Sequence, residues 1–317
     1  MYYIGVDIGG TTIKVGIVDM LGKIVAKSHI PTEKIPPEMQ IEKVGVQIKD
    51  LLTSNGVDLS AVIAVGAGCP GVINGKKGIV GHSSNLKWTQ FDLQKNLEKV
   101  TGKPVRIAND ADAAALGEVI FGSAKNYQTV IMITLGTGVG GGIVIDKKLY
   151  EGPNGMSGEL GHIVMRKNGL PCGCGRRGCF EQYASANALI RITKQAMQKA
   201  STSKMWELVN NDINLVSGRT AFDGEKLGDK AAKRVIKRYI SYIGEGILDY
   251  CNIFRPDAIV IGGGISNEGS NLTNKIVDYL ESYEFGYKGT PKTEILTATL
   301  KNDAGIIGAA SLVAEEF

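Results

Sequence analysis

The chain has 317 residues, 43% of them hydrophobic and 21% charged, with a net charge of +4. That length accommodates two domains, and the composition is that of a globular enzyme. The charge is too mild for a nucleic-acid partner, and no run of five or six like charges occurs. The opening Met1-Tyr2-Tyr3-Ile4 lacks the basic segment of a secretory leader and runs straight into a strand, so the expected compartment is the cytoplasm.

In chain order, the β-branched runs Tyr2–Ile8, Ile13–Asp19 and Lys23–Ile30 read as strands separated by glycine-bearing turns. A helix is expected after Pro36-Pro37, with Ile41, Val44, Ile48, Leu51 and Leu52 on one face and a stop near Gly56. Ala61–Ala67 reads as a buried strand, Phe91–Val100 as a short helix and Pro104–Ala108 as a strand. Asn109-Asp110 then opens a helix over Ala111–Val119. The first 120 or so residues therefore read β-β-β-α-β-α-β-α.

Residues 126–145 carry no charge, but five glycines interrupt them, so they read as two buried strands about a turn rather than a membrane span. Those strands are expected at Thr129–Leu135 and Gly142–Asp146. A shift of 127 positions lays Gly9 on Gly136 and Asp19 on Asp146, in a strand–turn–strand context both times, which points to a duplicated domain. Helices are expected at Ala186–Ala200, Asp229–Phe254, Asn271–Ser282 and Asp303–Glu315, with a strand at Ala258–Ile261. The alternation gives an α/β fold.

Three glycine turns follow strands, at Asp7–Lys14, Leu135–Gly140 and Ile261–Ser266. Glycine lets backbone N–H groups approach an anion, and the threonines Thr11, Thr12 and Thr137 add donors. A strand-end carboxylate such as Asp7 beside phosphate suits a hydrated magnesium ion. Gly136–Gly141 also matches the G-x-G-x-x-G dinucleotide pattern, but that pattern has physical meaning only between a strand and a helix, and here a strand is expected to follow.

Cys172, Cys174 and Cys179 lie within eight residues, ten positions after His162. One nitrogen and three sulfurs make the ligand set of a closed structural zinc site. A disulfide cluster is the alternative. An odd cysteine count, the short Cys172–Cys174 spacing and the expected reducing compartment argue against it.

Taken together, Asp7–Lys14, Asn109-Asp110, Glu159-Leu160-Gly161-His162 and the run from Cys172 to Glu181 resemble the ROK family of sugar kinases, with the likeness extending from Asp7 to the Gly305–Ala310 region. The run Cys179–Ser185 is most similar to that of bacterial glucokinases. The resemblance implies an actin-like, ribonuclease-H-like pair of duplicated domains with an interdomain cleft. The expected boundaries are 1–118 plus 303–317 for the smaller domain and 119–302 for the larger. It implies phosphorylation of a hexose by ATP, most simply glucose at its 6-hydroxyl, with Mg2+ and a structural Zn2+.

By the same resemblance Asp110 is the general base. Gly71, Asn85, Asn109, Glu159, His162 and Glu181 form the sugar site. Asp7, Gly9, Gly10, Thr11, Thr12, Lys14, Gly136, Thr137, Gly138, Gly263 and Gly264 serve the nucleotide. His162, Cys172, Cys174 and Cys179 hold the zinc. A homodimer or homotetramer is expected, with no membrane partner. Other hexoses or N-acetylhexosamines are alternative substrates. A sugar-responsive repressor is the alternative function, and its DNA-binding segment has no room ahead of a hairpin that begins at Asp7.

Overall fold

The computed structural model describes residues 1–283, 287–289 and 291–314. In chain order the elements are β1 (Tyr2–Ile8), β2 (Thr12–Asp19), β3 (Ile24–Pro31), α1 (Pro37–Ser54), β4 (Val62–Cys69), β5 (Val72–Asn74), β6 (Ile79–Ser83), β7 (Trp88–Asp92), α2 (Leu93–Thr101), β8 (Val105–Asn109) and α3 (Asp110–Ile120). Then come β9 (Val130–Leu135), β10 (Val139–Ile145), β11 (Lys148–Leu149), α4 (Glu181–Ala184), α5 (Ala186–Gln198), α6 (Met205–Leu208), α7 (Thr220–Lys226), α8 (Lys230–Phe254), β12 (Ala258–Gly262), α9 (Ser270–Leu280), β13 (Glu294–Thr297) and α10 (Ala304–Ala314). They form two compact units. One comprises Met1–Val130, Gly142–Gly158 and Ala298–Phe317, the other Ile131–Gly141 and Glu159–Thr297.

The first unit is built on a sheet of order β3-β2-β1-β4-β8, with β1–β2–β3 antiparallel and β4 and β8 parallel to β1. Apolar residues on one sheet face, among them Ile4, Val6 and Ile8, pack with Ile41, Val44 and Ile48 of α1 in one buried cluster. Residues of the opposite face, such as Tyr3, Val18 and Ala64, meet Ile306, Ala310 and Val313 of α10. There α10 lies directly on strand backbone. A methyl group at Gly5 would sit 2.0 Å from the Ile306 carbonyl oxygen, and one at Gly66 would sit 1.7 Å from that of Ala309. Glu118 of α3 is fully buried, and it accepts backbone N–H bonds from Ser123, Thr299 and Leu300, each at 2.8 Å.

The second sheet has the order β11-β10-β9-β12-β13. Each of its strands corresponds in position to one of the first sheet, so the glycine hairpins β1–β2 and β9–β10 occupy equivalent corners. The duplication read from the 127-residue shift is thus a shared topology. The second unit is otherwise helical, with α8 as its longest element. Tyr239 and Tyr250 of α8 are buried, and they donate to the carbonyls of Ala184 (2.6 Å) and Leu160 (2.8 Å).

β9 forms where Thr129–Leu135 was expected, whereas β10 begins at Val139, three residues before the expected Gly142, because the glycine turn is shorter than foreseen; no helix among the described residues is long and apolar enough to cross a membrane. The meander β5–β6–β7 was not legible from sequence. Its strands are three to five residues long and broken by turns, too short for a period-2 pattern. The helix expected over 91–100 begins at Leu93 because Phe91 and Asp92 finish β7. Helices α6 and α7 and strand β13 were likewise unforeseen, and Glu315 of the expected final helix lies outside the described residues.

Candidate functional site

The predicted residues fall into two groups, one on each unit, and each group is a connected constellation. On the first unit, β1 turns through Gly9-Gly10 into β2, with the Gly9 N–H donating to the Thr12 carbonyl at 3.0 Å. A side chain at Gly9 would meet that carbonyl oxygen at 2.7 Å, so the tight turn requires glycine. The register pairs Asp7 with Lys14, whose Nζ lies 3.0 Å from Asp7 Oδ2. Gly305, just inside α10, leaves room for this carboxylate, since a methyl there would come within 2.3 Å of Oδ2. Gly10 abuts Asn85, since a methyl added at Gly10 would lie 3.3 Å from the Asn85 Cβ. Thr11 and Asn85 are exposed and Thr12 is half-buried.

Where β8 ends, Asn109 caps α3. Its Oδ1 accepts from the Ala111 N–H at 2.8 Å, and its Nδ2 donates to the Gly71 carbonyl at 3.0 Å. Gly71 has φ +116°, and a methyl on it would lie 2.3 Å from the His82 carbonyl oxygen, so only glycine fits. Because Asn109 takes the cap, Asp110 stands at the first helical position, exposed, with Oδ1 accepting from the Ala111 N–H at 3.0 Å. The neighbouring Cys69 thiol is raised well above its ordinary range, first by burial and then by the Asp110 charge, so it stays neutral beside the carboxylate.

On the second unit, the turn Gly136–Gly138 closes with the Gly136 N–H on the Gly138 carbonyl at 3.0 Å. Thr137 at its tip is exposed. The Ala186 N–H donates to the Gly136 carbonyl at 2.8 Å, and the Val139 N–H donates to Glu181 Oε2 at 3.2 Å. β10 follows directly, so the turn leads into a strand and not into a helix, and the dinucleotide pattern has no physical content here. The third turn packs beside it. Gly263 has φ +79°, and a methyl there would lie 2.6 Å from the Leu135 carbonyl carbon. Gly264 is exposed and has open space around its Cβ position.

Glu159 ends at the short 3-10 turn Leu160–His162. His162 Nδ1 faces Cys172 Sγ at 3.6 Å, and Cys174 Sγ lies 3.6 Å from Cys179 Sγ. All four ligand atoms lie within 4.8 Å of one another. A tetrahedral zinc ion, about 2.3 Å from sulfur and about 2.0–2.1 Å from nitrogen, spaces its donors by about 3.5–3.8 Å. The His162–Cys172 and Cys174–Cys179 pairs have this spacing, so the donor set is compatible with zinc, and none of the five cysteines is bridged. A knuckle holds the loop, with the Cys172 N–H on Arg176 O (2.9 Å) and the Gly175 N–H on Cys172 O (3.0 Å). The Arg176 amide, ahead of smaller influences, lowers the Cys174 thiol pKa. His162 Nε2 points the other way, 3.9 Å from Glu159 Oε2. One ring nitrogen thus faces the cysteines while the other faces the Glu159 carboxylate.

Sequence reasoning did not single out Cys69 beside Asp110 or Gly305 beneath Asp7. It also missed the contact of Glu181 with the glycine turn. No local spacing signals any of these, because each partner lies on a distant element.

The ROK family model matches residues 3–316. A glucokinase of Halalkalibacterium halodurans is 37% identical, over 99% of this chain and 96% of its own. The crystal structure of a ROK family glucokinase from Streptomyces griseus, in complex with glucose and AMPPNP, is 36% identical, with a TM-score of 0.79 over 98% of this chain and 99% of its own. A xylose repressor of Bacillus spizizenii is 31% identical, and this chain spans 78% of it.

Proposed function

The chain belongs to the ROK family, and we propose that it is an ATP-dependent sugar kinase that transfers the γ-phosphoryl group of ATP to a hexose, glucose first, with Asp110 as general base. The observation that carries this reading is the exposed Asp110 at the head of α3, joined through Asn109 to Gly71, in a chain similar over nearly its whole length to a glucokinase that binds glucose and AMPPNP.

A sugar hydroxyl is a weak nucleophile at neutral pH. Asp110 Oδ1 is occupied by the Ala111 N–H, so the carboxylate keeps a fixed orientation. In the proposed step the hydroxyl proton passes to Asp110, the freed oxygen bonds to the γ-phosphorus, and ADP leaves. General-base assistance of this kind contributes about 10²–10⁴-fold. Asn85, the Gly71–Asn109 pair, Glu159, His162 and Glu181 are the proposed sugar contacts, a set rich in directional acceptors. The amides of the Gly9–Thr12 and Gly136–Gly138 turns are proposed for the phosphates, and Gly263-Gly264 for the nucleoside end. Asp7, with Thr11 and Thr12, offers oxygen donors to magnesium, which neutralises phosphate charge when bound. The zinc is assigned a structural role, because four protein ligands leave no open position.

A coupled ADP-release assay across hexoses and N-acetylhexosamines, run on wild type and Asp110→Asn, tests the reading. Turnover fastest on glucose and lost in the variant is expected. Full activity in Asp110→Asn refutes the base. Sugar binding without ADP release in the wild type would favour a sugar-sensing regulator, the alternative for which the xylose repressor relative speaks.

A further inference from the structure

Glu181 has two neighbours that a sugar-ligand role does not use. Its Oε2 accepts the Val139 N–H at 3.2 Å, and its Oε1 lies 3.7 Å from Cys172 Sγ. The turn sits against the carboxylate with nothing between them, since a methyl at Gly138 would come within 2.2 Å of Oε2. The segment that carries Glu181 starts two residues after the ligand Cys179. It is tied to the other side of the metal loop by the Phe180 N–H on the Ile163 carbonyl at 2.8 Å. The same segment ends at Ala186, whose N–H holds the Gly136 carbonyl at 2.8 Å. Both ends of the Gly136–Val139 turn are therefore anchored on one short stretch directly behind the cluster.

We propose that Glu181 is a positioning residue that locks the Gly136–Val139 turn to the His162–Cys172–Cys174–Cys179 cluster, so that metal occupancy sets nucleotide affinity. The proposal rests on the assignment of that turn to nucleotide phosphate. When the four ligands share a metal, the loop behind Glu181 is fixed and the carboxylate stays under the Val139 amide. When they do not, the loop loses its common anchor and the turn loses a charged acceptor. Phosphate then has to order the turn as it binds, which lowers affinity. The coupling is reciprocal, so a bound nucleotide tightens the protein's hold on zinc by the same factor.

The test is calorimetric titration with AMPPNP and no sugar present. The samples are zinc-loaded, chelator-stripped and zinc-restored wild type, and Glu181→Ala, Glu181→Gln and Gly138→Ala with and without zinc. Loss of one hydrogen bond to a charged group predicts about ten- to hundred-fold weaker AMPPNP binding in the stripped wild type, reversed by zinc. Glu181→Ala is expected to bind at the stripped level and to ignore zinc. Glu181→Gln, which keeps an acceptor oxygen for Val139, is expected to retain most of the coupling. Gly138→Ala displaces the carboxylate from the turn side, so it reproduces Glu181→Ala without touching the metal loop. Equal AMPPNP affinity in stripped and loaded wild type overturns the proposal while leaving the kinase reading intact. So does a full zinc response in Glu181→Ala. Failure of zinc-loaded wild type to bind AMPPNP at all overturns both.

Discussion

Replacing Glu118 by alanine removes the acceptor for five donors at once. Thr299 and Leu300 donate their N–H groups to Oε1, both at 2.8 Å, and Oε2 takes the Ser123 N–H at 2.8 Å, Ser123 Oγ at 2.9 Å and Thr299 Oγ1 at 3.2 Å. The two hydroxyls can turn elsewhere, whereas the three backbone N–H groups are fixed by the chain. Each donor left unpaired away from water costs about 1–3 kcal/mol; Thr299 is exposed and can turn to water while Ser123 and Leu300 are half-buried, so Glu118→Ala is expected to cost about 2–6 kcal/mol. A whole domain is stable by about 5–15 kcal/mol, so the loss is a large share of the total. Glu118→Gln keeps one acceptor but aims an NH2 at a set of donors, and about 2–4 kcal/mol is expected. Urea unfolding followed at the two tryptophans is the assay. Trp88 lies in the first unit and Trp206 in the second, so the Trp88 transition should shift to lower urea and the Trp206 transition should move less. A Glu118→Ala protein within about 1 kcal/mol of wild type would falsify the claim that this carboxylate pins the approach to α10 onto α3.

Asp110→Asn is expected to lower kcat by about 10²–10⁴-fold with little change in the KM for ATP, measured by steady-state ADP release. Titration with a thiol-reactive mercurial in the presence of a zinc-sensitive dye should release about one zinc per chain, and a Cys179→Ser variant should release far less; a wild-type chain that releases none is not a zinc protein. Gly66→Ala forces a methyl to within 1.7 Å of the Ala309 carbonyl oxygen, and should cost about 3 kcal/mol or more in urea unfolding. Glu151 is raised above the ordinary glutamate range by burial, which outweighs the opposing charges of Lys76 and Arg106. Its folded form therefore holds its proton longer than the unfolded form. The associated stability is present in acid and is lost as pH rises from the ordinary glutamate range through the raised folded value. Glu151→Gln should flatten that part of the stability–pH curve, and an unchanged slope would refute the assignment.

Much of this architecture was readable because it rests on local pattern. The nearly continuous apolar run Tyr2–Ile8 marks a strand buried on both faces, the spacing along α8 encodes which face is buried, and the four metal ligands lie close together in the sequence. The duplication was readable from two glycines and two aspartates because a hairpin has to turn at a fixed distance along its strands. The rest depends on partners far apart in the chain. Glu118, between Gly117 and Val119, carries no local sign of burial, and its partners Thr299 and Leu300 arrive from 181 and 182 positions away. Glu181 was singled out by the family resemblance as a sugar contact, but its bond to Val139 spans 42 positions and nothing local announces it. Asn109 and Asp110 were legible as a helix start, but which of the two takes the cap is settled by the Gly71 carbonyl, which engages the Asn109 amide.

On the ribosome, β1, β4 and α3 leave the exit tunnel first, and all of Glu159–Thr297 follows before α10 appears. Until then the glycine backbone at Gly5 and Gly66 has no cover, because no side chain at those positions can fold over it. The later-made unit is complete first, and the earlier-made sheet waits with one apolar face open. A nascent chain paused just before Ala304 would thus offer chaperones, and other unfinished copies, a sheet missing its final helix.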